Sequence, residues 1–217
     1  MKNTSKFLSI ALALFFISCT AKDKPRVNAA FKEPIKINTN KGMEVATFAG
    51  GCFWCTEAVF LEVKGVQKVV SGYIGGTTKN PTYQEICTGT TGHAEAIQIT
   101  FNPAEVAYED LLEIFFATHN PTTLNRQGAD AGTQYRSEIF YHSLEQKLKA
   151  ENYIVLIEKE KLYDDKVVTK ISSATIFYPA EGYHQNYYSQ NSGQGYCQMV
   201  IAPKLEKLRK YYQSKLK

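Results

Sequence analysis

The stretch Glu44-Val-Ala-Thr-Phe-Ala-Gly-Gly-Cys-Phe-Trp-Cys-Thr-Glu-Ala-Val-Phe-Leu61 begins the predicted folded part of this 217-residue chain. Residues 44–49 are mostly apolar and partly β-branched, which predicts a short buried strand. Gly50 and Gly51 then permit a tight turn, and the apolar spacing from Phe53 onward predicts an amphipathic helix. Cys52 is therefore expected at the N-terminus of a helix that directly follows a strand.

This position of Cys52 favours a reactive thiolate. Unpaired backbone N–H groups and the positive end of the helix dipole stabilise the ionised thiol, which is the form that attacks electrophiles. The spacing from Cys52 to Cys55 also permits two other interpretations, a pair of buried structural cysteines or half of a zinc site.

The remaining apolar periodicity predicts four strands and two helices. The strands are expected at 66–71, 94–101, 137–142 and 166–177, and the helices at 104–118 and 144–160. This order of elements matches a split β-α-β plait. We therefore predict an α/β fold of the α+β plait type, which is a two-layer ferredoxin-like sandwich with a mostly antiparallel sheet.

The C-terminal part has a different composition. Residues 178–198 are rich in Gly, Tyr, Asn and Gln and show no period, which predicts a long C-terminal coil. A basic helix is expected at 202–217.

Within the strand at 94–101, Glu95 is the first residue on the face that also carries Ile97 and Ile99.

The N-terminus has the pattern of a secretory signal. Residues 1–6 include two lysines, and the apolar run at 7–17 is too short to span a bilayer stably. The sequence Phe16-Ile-Ser-Cys19 resembles a bacterial lipobox, although Phe16 replaces the usual leucine. We expect a lipoprotein-type signal peptide at 1–18 and lipidation of Cys19, which would anchor an exported protein in the cell envelope, facing the periplasm or the cell surface. Ordinary signal cleavage nearby is the alternative.

Residues 19–43 are rich in lysine and asparagine, which predicts a flexible tether before one domain at 44–217. Residues 1–43 hold 8 of the 25 Lys+Arg and 2 of the 21 Asp+Glu, so 17 and 19 remain and the rest of the chain carries −2. The positive charge therefore belongs to the leader and the tether. We expect no nucleic-acid partner.

Cysteine usage points to redox chemistry. Without Cys19, four of the five cysteines remain, which is sparse for a disulfide scaffold of this length. Two glycine-rich loops, at 80–95 and 126–136, add Tyr83, Glu95 and Tyr135 as possible partners of a cysteine nucleophile.

Three motifs together resemble the signature of the peptide methionine sulfoxide reductase A family. They are Gly51-Cys-Phe-Trp54, Gly92-His-Ala-Glu95 and Gly132-Thr-Gln-Tyr-Arg136. The resemblance extends in order from about residue 44 to Cys197. It implies an α/β plait with a long C-terminal coil, in agreement with the fold predicted above. It also implies reduction of methionine S-sulfoxide, free or in proteins, without a cofactor.

The resemblance implies catalytic roles for Cys52 as nucleophile and Glu95 as acid, and a carboxyl group that heads an apolar row is expected to have a raised pKa. It assigns Tyr83 and Tyr135 to the sulfoxide oxygen. The substrate-binding residues would be Phe53, Trp54, Asp130, His184 and Tyr187. Taken without the family, Glu95 could be a surface residue, and the aromatic residues could be ordinary packing residues.

The family's recycling route implies that Cys52 becomes a sulfenic acid and forms a disulfide with Cys197. Thioredoxin or an exported equivalent would then reduce this disulfide. The chain has no cysteine after Cys197, whereas some family members have a second recycling cysteine there. Cys55 could resolve the sulfenic acid, protect Cys52 from overoxidation, or be a small buried residue. Cys87 matches a chemically quiet position.

Two other functions are compatible with these residues. One is a thioredoxin-like dithiol-disulfide oxidoreductase that uses Cys52 and Cys55. The other is a lipoprotein that binds oxidised protein segments or a metal without turnover. The sequence lacks a Cys or His set with complete zinc-ligand spacing, so we expect no metal site. The expected partners are oxidised proteins, a thioredoxin-like reductant and, through Cys19, a membrane; the expected oligomeric state is a monomer.

Overall fold

The computed structural model describes residues 42–217 as one six-stranded sheet, a two-stranded ribbon and six α-helices. The predicted signal peptide, the lipidation site at Cys19 and nearly all of the predicted tether lie outside the described residues. The strands are β1 Glu44–Gly50, β2 Val66–Ile74, β3 Ala94–Phe101, β4 Arg126–Gln127, β5 Asp130–Ala131, β6 Ser137–Tyr141, β7 Lys170–Ser173 and β8 Tyr178–Pro179. The helices are α1 Phe53–Leu61, α2 Tyr83–Cys87, α3 Tyr108–Thr118, α4 Leu144–Lys159, α5 Tyr187–Asn191 and α6 Ala202–Tyr211.

The order of strands confirms the predicted plait. In the main sheet it is β7-β6-β1-β3-β2-β8, and each neighbouring pair from β6 to β8 is antiparallel. Helix α1 connects β1 to β2, and β3 lies between these two strands, which is the split β-α-β connection. Only β7 pairs in parallel, with β6. The predicted ferredoxin-like sandwich with a mostly antiparallel sheet is therefore present.

The sheet is buried on both faces. Phe48 of β1 pairs with Ile97 of β3, and on that face the sheet packs against α1, α3 and α6. The opposite face carries small residues such as Ala94 and Ala96, which pack against Phe177 of the C-terminal segment. Every residue of β3 except Thr100 is therefore buried. The alternating side chains of β3 point to two opposite faces of the sheet, and both faces are packed against other parts of the protein.

Several predicted boundaries differ from the structure. Helix α3 begins at Tyr108 and not at 104, because the preceding residues form a turn in which the N–H of Val106 donates to the carbonyl of Asn102. The strand predicted at 166–177 is wrong outside β7. Val167 donates its N–H to the Glu158 side chain and Val168 donates to the Pro121 carbonyl, so neither residue enters a strand ladder.

The predicted C-terminal helix at 202–217 ends earlier, at Tyr211. The long segment before it is irregular apart from β8 and short helical turns, among them α5 and the π-helical turn Cys197–Ile201. Helix α2 and the ribbon of β4 and β5 were not predicted. Within residues 42–217, no helix combines the length and the apolar composition needed to cross a membrane.

The core on the helical side of the sheet is built around Phe48. Its ring is fully buried, stacks on Phe115 with centroids 4.9 Å apart, and lies 5.7 Å from the ring of Phe60. This side chain therefore joins β1 to both α1 and α3.

We predict that Phe48→Ala lowers the free energy of unfolding by about 3–5 kcal/mol, because it removes a large buried ring and leaves a cavity. Urea denaturation measures the change. Leu144→Ala is the control, because Leu144 is 74% exposed and its truncation should change stability by less than about 0.5 kcal/mol. Similar changes for the two variants would contradict this account of the core.

Candidate active site

Cys52 lies between β1 and α1, at the residue that precedes the first turn of the helix. The turn depends on Gly51, whose φ of +93° is unfavourable for residues with a side chain. A Cβ atom at Gly51 would also overlap the side chain of Gln127. The predicted placement of Cys52 at a helix N-terminus is confirmed, and only 8% of the residue is exposed.

Glu95 lies on β3 and is 1% exposed. Its Oε2 accepts a hydrogen bond of 3.0 Å from the backbone N–H of Phe53, the first residue of α1. Burial raises the pKa of Glu95 to about 8, although the bond from Phe53 opposes this effect. The predicted raised pKa is therefore confirmed, and the carboxyl group retains its proton at neutral pH.

The predicted resting thiolate of Cys52 is wrong. Burial raises the pKa of the Cys52 thiol, and the hydrogen bond with Cys55 and the charge of Glu95 raise it further. The physical reason is mainly burial, because only 8% of Cys52 is exposed and a buried thiolate loses its solvation. In the resting protein Cys52 is a neutral thiol beside a neutral carboxyl group.

Cys55 is a buried thiol that contacts polar groups. Its Sγ lies 3.7 Å from the hydroxyl of Tyr196, which donates a 2.8 Å hydrogen bond to Asp130. A hydrogen bond from the Cys52 thiol lowers the pKa of Cys55 to about 7, and burial opposes this effect. Cys55 is therefore more than a small packing residue. Tyr196 was missed in the sequence, where its position next to Cys197 was the only signal.

Tyr83 and Tyr135 lie close to Glu95. Tyr83 begins α2, which is capped by Thr82, and Tyr135 ends the 3₁₀ turn Thr133–Tyr135. Burial and the charge of Glu95 raise the pKa of both phenols, so both hydroxyls keep their protons and can donate hydrogen bonds. The structure thus places both predicted tyrosines within the electrostatic influence of Glu95.

The predicted aromatic pocket residues form one connected wall. The rings of Trp54 and Tyr187 stack with centroids 3.7 Å apart and planes 5° apart. Trp54 Nε1 donates a 3.0 Å hydrogen bond to Nδ1 of His184, whose ring lies 5.1 Å from that of Phe53. Phe53 is buried beneath the site, whereas Trp54 and Tyr187 are half-buried. Asp130 does not join this wall, because it pairs with Tyr196.

Two carboxylates near this wall were not predicted as functional. Glu181 accepts hydrogen bonds from the Tyr73 hydroxyl, at 2.8 Å, and from the backbone N–H of Tyr83, at 3.1 Å. Glu57 of α1 accepts from two backbone N–H groups of the C-terminal segment. Their partners are distant in sequence, so no local pattern could have identified them.

Cys197 is fully buried and begins the π-helical turn, a rare form that often occurs at functional sites. Burial raises the pKa of its thiol, and the charge of Cys55 raises it further. It belongs to the same core as Cys52 and Cys55. In residues 42–217 all cysteines are free thiols, and Cys87 is the exposed one.

Three histidines have structural roles. His93 accepts from the N–H of Gly76 and its Nε2 contacts the carbonyl of Thr78, so it supports its loop. His119 contacts the Phe115 carbonyl and the Ser137 hydroxyl, and His142 contacts Thr47. Across the described part of the chain, no group of three or more His, Cys, Asp or Glu residues could hold a metal ion.

Comparison with known proteins agrees with this geometry. The profile of the family described as peptide methionine sulfoxide reductase matches residues 44–216. The protein MsrA of Deinococcus radiodurans is 58% identical over 174 residues, which are 80% of this chain and 84% of that protein. MsrA of Polynucleobacter asymbioticus is 56% identical over 172 residues, covering 79% and 90% of the two chains.

A solved structure gives the same result for the fold. Methionine sulfoxide reductase A of Corynebacterium diphtheriae matches with a TM-score of 0.64 and 33% identity, over 74% of this chain and 80% of that chain. The similarity includes β1, α1 and the strand of Glu95, because the family profile covers nearly all of the described residues. The chain therefore belongs to the peptide methionine sulfoxide reductase family.

Proposed function

We propose that this chain reduces methionine S-sulfoxide, free or in proteins, through a Cys52 sulfenic acid and a Cys52–Cys197 disulfide. Family membership makes the chain a peptide methionine sulfoxide reductase. The observation that carries the proposed mechanism is the protonated, buried Glu95 hydrogen-bonded to the first residue of the helix that Cys52 precedes. The preference for the S epimer rests on the family resemblance.

The surrounding side chains suit a methyl sulfoxide. The wall of Phe53, Trp54 and Tyr187 offers apolar surface to the S-methyl group. The Tyr83 and Tyr135 hydroxyls keep their protons and can donate hydrogen bonds to the sulfoxide oxygen. Binding in this orientation directs the oxygen to the proton donors and the sulfur atom to Cys52.

The chemical step then needs one proton on the oxygen and a nucleophilic sulfur. Glu95 gives its proton to the sulfoxide oxygen, and the Cys52 sulfur bonds to the substrate sulfur as its thiol proton passes to Glu95. The hydroxyl group then moves from the substrate sulfur to the Cys52 sulfur, so that the S–O bond on the substrate breaks and a new one forms on Cys52. The sulfur–sulfur bond breaks at the same time, its electron pair stays on the methionine sulfur, and methionine leaves Cys52 as a sulfenic acid. Methionine sulfur gains two electrons and Cys52 sulfur loses two. Both acid groups are protonated before substrate binds, so the substrate itself completes the activation of Cys52.

Recycling requires two more thiol steps. The Cys197 thiol attacks the Cys52 sulfenic acid, a disulfide forms and water leaves. The dithiol of thioredoxin, or of an exported equivalent, then reduces this disulfide and is itself oxidised. The placement of Cys197 in the same core as Cys52, on a π-helical turn, supports this choice of partner.

One observation favours a second candidate function. The hydrogen-bonded Cys52 and Cys55 thiols, with the pKa of Cys55 near 7, resemble a dithiol suited to disulfide exchange. Such an oxidoreductase would depend on Cys55 and would have no use for the proton of Glu95. The two functions are therefore separated by variants of these two residues.

We propose further that the protein is exported, is anchored in the bacterial cell envelope by a lipid on Cys19, and repairs oxidised exported proteins. The support is the charged N-terminus, the apolar run at 7–17 and the lipobox-like sequence that ends at Cys19. The tether at 19–43 would let the domain reach proteins near the membrane.

We predict that the protein reduces the S epimer of a blocked methionine sulfoxide and not the R epimer. Cys52→Ser should abolish turnover, because it removes the nucleophile. Cys197→Ser should retain turnover with dithiothreitol and lose it with thioredoxin, because only the recycling disulfide is missing. Chiral separation of the remaining substrate measures both. No turnover of either epimer by the wild type would refute the proposed function.

We predict that Glu95→Gln lowers turnover about 10²–10⁴-fold, the range typical of a lost general acid. Cys55→Ser should keep most of the turnover measured with dithiothreitol, whereas the dithiol function predicts the reverse pattern.

We also predict that the Glu95→Gln variant is more stable than wild type at pH 7.5 and similar to it at pH 4.5. The pKa of the Glu95 carboxyl group is about 8 in the folded protein and 4.5 in the unfolded chain. Between these pH values the unfolded chain releases the proton and the folded protein keeps it, so the free energy of unfolding of the wild type falls as the pH rises. The Gln side chain does not ionise, so the variant lacks this loss.

The stability difference is measured by urea denaturation of both proteins at each pH. Glu145→Gln is the matched control, because Glu145 is exposed on α4 and its replacement leaves the buried site unchanged. A stability difference between Glu95→Gln and wild type that stays constant from pH 4.5 to 7.5 would show that Glu95 does not retain its proton.

For the anchor, we predict that the expressed full chain is found in the membrane fraction, and that Cys19→Ala moves it to the soluble exported fraction without changing turnover. Mass spectrometry of the mature protein detects the lipid on Cys19. Cys87→Ala is the control, because this exposed thiol lies on the folded domain and its loss should leave the distribution unchanged. Wild-type protein without a lipid and outside the membrane would rule out the anchor.

A further inference from the structure

Glu57 is a buried carboxylate that the proposed mechanism does not use. It lies on α1 between apolar neighbours, and only 2% of the residue is exposed. Its Oε1 accepts a 2.8 Å hydrogen bond from the backbone N–H of Asn186, and its Oε2 accepts a 3.2 Å bond from the N–H of Tyr187. Each oxygen of the side chain thus has its own backbone donor from a segment about 130 residues away.

Such a carboxylate is costly to bury unless its oxygens are hydrogen-bonded. Burial raises the pKa of Glu57, and the N–H groups of Asn186 and Tyr187 partly offset that rise. Asn186 has a φ of +53°, in the left-handed region. This conformation directs two successive N–H groups to one side, which is a typical arrangement for binding an anionic oxygen pair. The chain therefore adopts an uncommon backbone conformation where the Glu57 carboxylate binds it.

The residue that Glu57 holds is part of the aromatic wall. Trp54 and Glu57 are one helical turn apart on α1, so they face the same segment. The carboxylate fixes the backbone of Tyr187, and the ring of Tyr187 stacks on Trp54 at 3.7 Å. Trp54 in turn donates to His184, three residues before Tyr187. The wall thus has α1 on one side and the segment bound by Glu57 on the other.

A second anchor lies just before Asn186. The side chain of Gln185 accepts from the N–H of Ser71 and donates to the Ser71 carbonyl, which ties the segment to β2. Beyond Tyr187, α5 and the turn that carries Cys197 make no further hydrogen bond to Glu57. The ring of Tyr187 also has a contact further along the chain, because its hydroxyl donates a 2.9 Å hydrogen bond to Gln194.

We propose that Glu57 is a positioning residue, which fixes Tyr187 against Trp54 and thereby sets the affinity of the site for the methyl group of the substrate. This role rests on the proposed function, since it assumes that the wall of Trp54 and Tyr187 binds the S-methyl group. Glu57 does not touch the substrate. It acts through the backbone of Tyr187.

The test is Glu57→Gln, which keeps the size of the side chain but replaces one acceptor oxygen with an NH₂ group that opposes a backbone N–H. With dithiothreitol as reductant, we expect KM for a blocked methionine S-sulfoxide to rise about tenfold, the change expected for one lost charge-assisted hydrogen bond. We expect kcat to stay within about twofold, because Cys52 and Glu95 are unchanged. Trp54 is the only tryptophan, so its emission spectrum should shift when Tyr187 moves.

Two further variants show whether the effect passes through Tyr187. Tyr187→Ala should itself raise KM, and adding Glu57→Gln to it should give no further rise, because the two residues act as one unit. Glu138→Gln is the matched control, since Glu138 is another buried hydrogen-bonded glutamate, on β6. It should lower stability without changing KM or the emission of Trp54.

The proposal is overturned if Glu57→Gln lowers stability but leaves KM and Trp54 emission at wild-type values, or if its effect adds fully to that of Tyr187→Ala. Glu57→Asp, which keeps the charge and shortens the reach, provides a second variant if the Gln protein does not fold. Failure of both to fold would also overturn it, because Glu57 would then support the fold and not the wall. Loss of the proposed function is distinguishable, since Trp54 emission is measured without turnover.

Discussion

The hydrogen bond from the backbone N–H of Phe53 to Glu95 is the interaction on which the site depends. It joins β3 to the first turn of α1 and gives the buried Glu95 side chain a backbone donor. Both acidic groups are buried, and a charge on either one disfavours a charge on the other. Cys52 and Glu95 are therefore both neutral at rest, and a polar substrate oxygen is needed before a proton can leave Cys52.

The fold could be predicted from the sequence where side-chain period and burial coincide. The apolar run of β1 and the alternation of β3 predicted these strands, and the pattern also placed Cys52 at a helix start and Glu95 in an apolar row. The predicted amphipathic character of α1 is wrong, because the helix is buried on nearly all sides. Helix α2 is short and lies in a glycine-rich segment, so it gave no period. The protonation of Cys52 depends mainly on its burial and then on Cys55 and Glu95, and the depth of burial is set by the tertiary fold and not by the local sequence.

The C-terminal segment shows why composition alone was insufficient there. Residues rich in Gly, Asn and Tyr predicted a coil, and the segment is largely irregular. Its position is nevertheless defined by long-range bonds from Glu57, Glu181 and the Ser71 backbone. These bonds satisfy backbone and side-chain polar groups that a ladder of strands would otherwise satisfy. The segment can therefore form one wall of the site without regular secondary structure.

The two outer strands of the main sheet have a consequence for the behaviour of the protein in a crowded compartment. An unpaired strand edge can recruit a strand from another chain, and partly unfolded oxidised proteins offer many such strands. Here β8 has two residues and one of them is Pro179, which lacks an N–H, while β7 has four residues and starts with the exposed Lys170. Short edges with proline and lysine resist the addition of foreign strands. A protein with such edges can meet damaged chains at high concentration without becoming a template for their aggregation.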